Sequence, residues 1–177
     1  MKIIVSLLLI FLMFFNLSMT AAENTNHKIP RFVSTKFNES NLRIGASIDY
    51  PIKLTYFLEN FPLKIIGEYE FWREVVDIDG NQGWMKKNLL KNKRYGVIKT
   101  THNQKAQIYN KPKGSIIGKI GNRNIVKINK CFDLWCFISF DKYKGWINKT
   151  NIWGVNKNEN FNMPFYQLII NLYWKII

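Results

Sequence analysis

Histidine and cysteine are scarce in this sequence, with two of each in 177 residues. His27 and His102 stand apart, and Cys131 and Cys136 flank only Phe-Asp-Leu-Trp, so no zinc-site spacing is present. No glycine-rich loop of the kind that cradles phosphate occurs. Residues 3–15 form an apolar run broken only by Ser6, shorter than the roughly 20 residues that a bilayer-spanning helix needs. Acidic residues are few, 12 against 26 lysines and arginines, which leaves a formal net charge of +14. Such a balance raises the question of a nucleic-acid or other anionic partner. The lysines are scattered rather than gathered into a block, and they accompany a general excess of Asn, Ile, Phe and Tyr. A solvated basic surface is the reading that fits, and no nucleic-acid partner is expected. No extended stretch of the chain outside its two ends carries helical periodicity.

What is abundant is the vocabulary of small β domains. Aromatic residues run through the body of the chain, and short alternating segments are separated by turn signals. Residues 72–90 open on Trp72-Arg73, continue through the β-branched Val75, Val76 and Ile78, turn at Asp79-Gly80, and restart at Gly83-Trp84. That is a β-hairpin. Residues 135–152 repeat the order: Trp135, an apolar strand, a polar turn bearing Asp141, then Gly145-Trp146 and a closing Ile152. An internal duplication is expected, with an all-β fold of two small barrels over residues 31–94 and 97–155.

The two ends differ from this body. Lys2, the apolar run and the small residues Thr20 and Ala22 predict a cleaved signal peptide over residues 1–22, and hence export. No membrane span is expected after cleavage. Residues 156–162 are polar and read as a loose connection, and residues 163–177 turn apolar again, a tail too short to cross a bilayer comfortably.

The run Asn41-Leu-Arg-Ile-Gly-Ala-Ser47, together with Trp72-Arg73, Asp79-Gly80 and Gly83-Trp84, resembles the bacterial SH3-like (SH3b) domain. That family opens on Asn-x-Arg-x-Gly-Pro-Ser and carries Gly-Trp in its last hairpin. Ala46 stands here in place of the proline. Ala106-x-Ile-Tyr-x-x-Pro112, Trp135-Cys136 and Gly145-Trp146 are similar to a more degenerate copy that lacks the Asn-x-Arg opening. The resemblance covers roughly residues 31–155 and implies two tandem SH3-like barrels in a secreted protein of the cell envelope. It also implies a non-catalytic module that recognises peptidoglycan, another cell-wall polymer, or a peptide or protein ligand. Small barrels bind in shallow grooves, where aromatic rings offer contact area at low entropic cost. Tyr50, Tyr56, Trp72 and Trp84 are the candidates for such a groove. The alternative is a basic surface-adhesion protein that binds anionic polymer or lipid through its charge.

If Asp133-Leu134 make a two-residue turn, Cys131 faces Cys136 at a non-hydrogen-bonded pair, where Cα atoms lie about 4.5 Å apart. In an oxidising compartment that arrangement favours a hairpin-clamping disulfide. The other reading is a catalytic cysteine, because SH3b modules accompany cell-wall peptidases that pair Cys with His. Neither histidine sits in a motif and no catalytic framework is left once two barrels are assigned, so no catalytic residues, no metal and no cofactor are expected.

Overall fold

A computed structural model describes residues 27–101 and 104–162. The signal-peptide reading of residues 1–22, the apolar tail 163–177 and His102 lie outside the described residues. The chain is all-β, with no α-helix among the described residues. The first seven strands are β1 (Arg31–Thr35), β2 (Ser40–Arg43), β3 (Ile52–Tyr56), β4 (Pro62–Tyr69), β5 (Trp72–Val76), β6 (Gln82–Lys86) and β7 (Leu90–Lys91). The next seven are β8 (Tyr95–Ile98), β9 (Ala106–Tyr109), β10 (Ile116–Ile120), β11 (Ile125–Phe132), β12 (Trp135–Phe140), β13 (Tyr143–Asn148) and β14 (Ile152–Trp153).

The duplication is visible as topology. One sheet has the order β3-β2-β6-β5-β4-β1-β7 and the other β10-β9-β13-β12-β11-β8-β14, so each strand of the first has its counterpart seven strands later. The registers agree too. Leu42 faces Leu54 as Ile108 faces Gly118, and Ile65 faces Val75 as Ile128 faces Ile138. Even the irregularities recur, one in each β2–β3 and β9–β10 pair and one in each β4–β5 and β11–β12 pair.

Strand alternation builds a separate core in each unit. Val33, Leu42, Leu63, Ile65, Val75 and Met85 fill the first; Ile98, Val126, Ile128, Ile138 and Ile147 fill the second, with Cys131 and Cys136. The hairpin expected at Asp79-Gly80 is present, and Gly80 takes φ +85°, a conformation that glycine adopts without a Cβ penalty. The units touch where Phe32 meets Trp153 edge to face at 5.2 Å and where Arg123 pairs with Asp79.

Residues 156–162, read from composition as loose, are instead held across the second unit. Phe161 exchanges two backbone hydrogen bonds with Cys131, its N–H donating at 3.1 Å and its carbonyl accepting at 3.2 Å. Lys149 donates through Nζ to the carbonyls of Glu159 (2.8 Å) and Lys157 (3.3 Å), and Asn160 accepts from the Asp133 N–H at 3.0 Å. Arg94, in the connection between the sheets, pairs with Glu159 through both terminal nitrogens and lies over the rings of Phe161 and Phe32, 4.8 and 5.7 Å from their centroids. Burial alone would raise the Glu159 pKa, but the Arg94 hydrogen bond, the Asn156 N–H and the charges of Arg94 and Lys149 outweigh it and hold the carboxyl below its ordinary range. Burial lowers the Lys149 pKa against the opposing pull of Asp133 and Glu159. These seven residues, polar but for Phe161, lack periodicity because their order comes from distant partners rather than from their own pattern.

Candidate functional site

The four aromatic residues expected to line a groove divide between two faces of the first unit. Tyr56 points inward with Leu42 and Val75, and its hydroxyl donates to the Asp77 carboxylate at 3.0 Å. Burial first, and then the Asp77 charge and hydrogen bond, push the phenol well above its usual pKa. Tyr56 is a core residue. Trp72 and Trp84 lie on the opposite face, since Trp84 pairs with Glu74 and Trp72 with Lys86, and alternate residues along a strand share a side. Trp84 also pairs with Arg43 on β2. Arg43 in turn donates to the Tyr50 carbonyl at 2.6 Å, which fixes the 44–51 loop. The exposed Tyr50 ring lies on Gly45 so closely that a Cβ there would come within 2.5 Å of it. The Asn-x-Arg-x-Gly run is thus explained locally: Asn41 accepts from the Thr55 hydroxyl at 2.7 Å, Arg43 holds the loop, and Gly45 leaves room for Tyr50. Tyr50, Trp72 and Trp84 are associated through Arg43 and the β5–β6 pairing, while Tyr56 is not among them.

The second unit presents a different surface at the same register. Tyr109 pairs with Trp146 as Arg43 pairs with Trp84, and Trp135 holds the place of Trp72. The Tyr109 and Trp135 rings meet edge to face at 5.1 Å, and Phe137 and Trp146 lie beside each other at 5.4 Å. Along Tyr109 and Trp135 runs a groove of about 620 Å³, walled by the amides of Gln104, Gln107, Asn148 and Asn151 and by Thr150. Lys99 and Lys105 also line it, and among the described residues no carboxylate does. Asn148 is held in place by accepting from the Thr150 N–H (3.0 Å) and hydroxyl (2.8 Å) at the short 3₁₀ turn Lys149–Asn151. Sequence reasoning passed over this groove because it followed the better-preserved first copy. The signal was a tyrosine, Tyr109, standing where the first copy has Arg43.

The bacterial SH3 domain model matches the chain twice, over residues 36–92 and 104–154. The chain belongs to the bacterial SH3 domain family. Domains of this family are commonly binding modules of the cell wall. Among solved structures, the two SH3 units are similar to NlpC1 from Trichomonas vaginalis, at 17% identity and a TM-score of 0.34, over 77% of this chain and 50% of that one. They are also similar to an NlpC/P60 family protein from Bacillus cereus, at 11% identity and a TM-score of 0.31, over 79% of this chain and 61% of that one. The chain therefore spans half the length of the first of these proteins. No curated protein matches it.

Within the second SH3 unit, Cys131 and Cys136 form a disulfide across the β11–β12 hairpin, with Cα atoms 4.1 Å apart. Asp133 turns the chain between them at φ +49°. Both sulfurs are fully buried and bonded to each other, so neither is a thiolate nucleophile in this state. His27 borders a small basic depression of the first SH3 unit, beside Arg31, Arg73 and Lys87. Among the described residues no three His, Cys, Asp or Glu side chains come together as a metal site would require. No described helix is long and apolar enough to cross a membrane. The disulfide belongs to an oxidising, extracytoplasmic setting.

Proposed function

We propose that the protein is an exported, non-catalytic binding module of the bacterial cell envelope, and that it takes a cell-wall polymer or peptide in the Tyr109–Trp135 groove of its second SH3 unit. The observation that carries this reading is the composition of the groove. Aromatic faces supply apolar contact area, four side-chain amides and three threonine hydroxyls supply both donors and acceptors, and the two lysines favour a carboxylate-bearing ligand. Such a lining suits a chain rich in hydroxyl, amide and carboxylate groups. Among the described residues its lining includes no paired acid and base, no free nucleophile and no metal cluster with which to cleave one. The net charge of +14 favours a second reading, adhesion to anionic polymer or lipid by charge alone.

Co-sedimentation with purified peptidoglycan sacculi at low and high salt separates the two. Groove recognition predicts retention at both salt concentrations and about a tenfold loss of affinity in Tyr109→Ala, a typical cost of removing one aromatic anchor. Retention that vanishes as ionic strength rises would assign the binding to charge. No retention at either salt would sink both.

A further inference from the structure

The two units differ most at one end of the barrel. In the first unit, Leu54 faces Leu42 across β2 and β3 and packs half-buried on the core. Beside it Tyr56 donates to Asp77, and Asp77 also accepts from the Asp79 N–H, the Asn81 N–H and the Asn81 amide, each at 2.8 Å. Leucine and polar network together close that end. At the same register of the second unit, Gly118 replaces Leu54, Ile120 replaces Tyr56 and Phe140 replaces Asp77. A Cβ built on Gly118 would meet no atom within 4 Å. Gly145, by contrast, is filled from across the sheet, where Ile108 would lie 2.3 Å from an added Cβ.

The space left by the missing leucine is a cleft of about 390 Å³, within the roughly 300–1,000 Å³ range of small-molecule sites. Ile108, Ile120 and Ile138 form its floor, and Ile117, Phe140 and Tyr143 its walls. These three wall residues are exposed, an apolar lining left in contact with water. Lys119 and Lys144 are the charged residues that border the cleft, and among the described residues no carboxylate does. We propose that this cleft binds a small amphipathic anion, an unbranched aliphatic chain ending in a carboxylate. The chain would lie against the isoleucines where Leu54 lies in the first unit, and the head group would meet Lys119 and Lys144. The site is separate from the Tyr109–Trp135 groove and stands or falls independently of wall binding.

Titration of the full-length protein with monomeric dodecanoate, followed by calorimetry, tests this. Saturable one-to-one binding is expected. Gly118→Leu, which restores the first unit's side chain at an extended position with open space around it, should weaken binding at least tenfold while leaving the melting temperature unchanged or higher. Lys119→Gln with Lys144→Gln should weaken it severalfold and remove its salt dependence. Dodecyl maltoside, with the same chain and no charge, should bind as weakly to the wild type as dodecanoate does to the lysine double variant. Absence of saturable dodecanoate binding would overturn the proposal, as would a Gly118→Leu variant that is folded yet binds like the wild type. Binding confined to anionic phosphatidylglycerol vesicles, with none to the monomer, would also overturn it in favour of a membrane surface.

Discussion

Two hairpins of this protein are clamped at the same register by unrelated chemistry. In the first unit Glu68 faces Arg73, the Arg73 Nε lying 3.1 Å from the Glu68 carboxylate; in the second, Cys131 faces Cys136 and a disulfide joins them. The exchange reaches beyond the pair. Arg31, one strand over, also binds Glu68. Its counterpart Arg94, just before β8 and bonded across to Ile128 as Arg31 is paired with Ile65, has no glutamate beneath it, because that position is now Cys131. Arg94 takes its carboxylate from Glu159 instead, on the segment that follows the duplication. Replacing an ion pair with a covalent bond freed one arginine, and a strap of chain re-satisfies it. A partly buried guanidinium without an acceptor is costly, which gives the ordering of residues 156–162 a physical cause.

The comparison can be broken at three points. Arg73→Ala should act most strongly. Its side chain is only 4% exposed and also donates to the carbonyls of Glu70 and Trp72, so its loss leaves Glu68 and two carbonyls short of a donor. A destabilisation of about 3 kcal/mol is expected in urea unfolding, in line with removing one member of a buried pair. The transition affected should be that of the first unit; an unaltered midpoint would show that Arg31 alone suffices for Glu68. Cys131→Ala with Cys136→Ala should cost somewhat less, about 2 kcal/mol, because the bond closes a very short loop. The second unit should soften while the first keeps its midpoint.

Glu159→Gln sharpens the comparison from the side of the strap and should cost about 1–2 kcal/mol, the loss of a charge-assisted bidentate pair. Its signature is in pH. The Glu159 carboxyl is lowered in the folded state from an ordinary 4.5. Its stabilisation is therefore complete above that value and lost as pH falls through the lower folded-state pKa. Hydrogen exchange at the Phe161 and Cys131 amides should report it. Protection in the wild type should decline below pH 4.5, whereas in the variant it should be low already at neutral pH and show no such step.

Much of the fold was legible because its signals are local. Asp79-Gly80 carries its turn in its own chemistry, and the spacing of Cys131 and Cys136 places them opposite once Asp133-Leu134 turn. Tyr56, an aromatic expected in the groove, is buried in the core, and its alternation with Leu54 on β3 marks it as inward-facing. What stayed hidden depends on register between distant strands. Gly118 is an unremarkable glycine until it is seen to stand where the first unit has Leu54. Tyr109 and Trp135 become a pair only when β9 and the β11–β12 hairpin are placed on one face. The strap could not be read at all, since Arg94, Lys149 and the Cys131 backbone order it from outside.

The position of Arg94 and Glu159 bears on how portable the second unit is. Both lie outside residues 104–154, one before and one after, and so does β8, the strand beside β11. A fragment cut at the limits of the recognisable repeat would keep the disulfide and the groove aromatics but lose a strand, the strap and their shared ion pair. The stretch recognisable as the family's domain is smaller than the unit that holds together, and anyone transplanting this module should carry residues 94–162 as one piece.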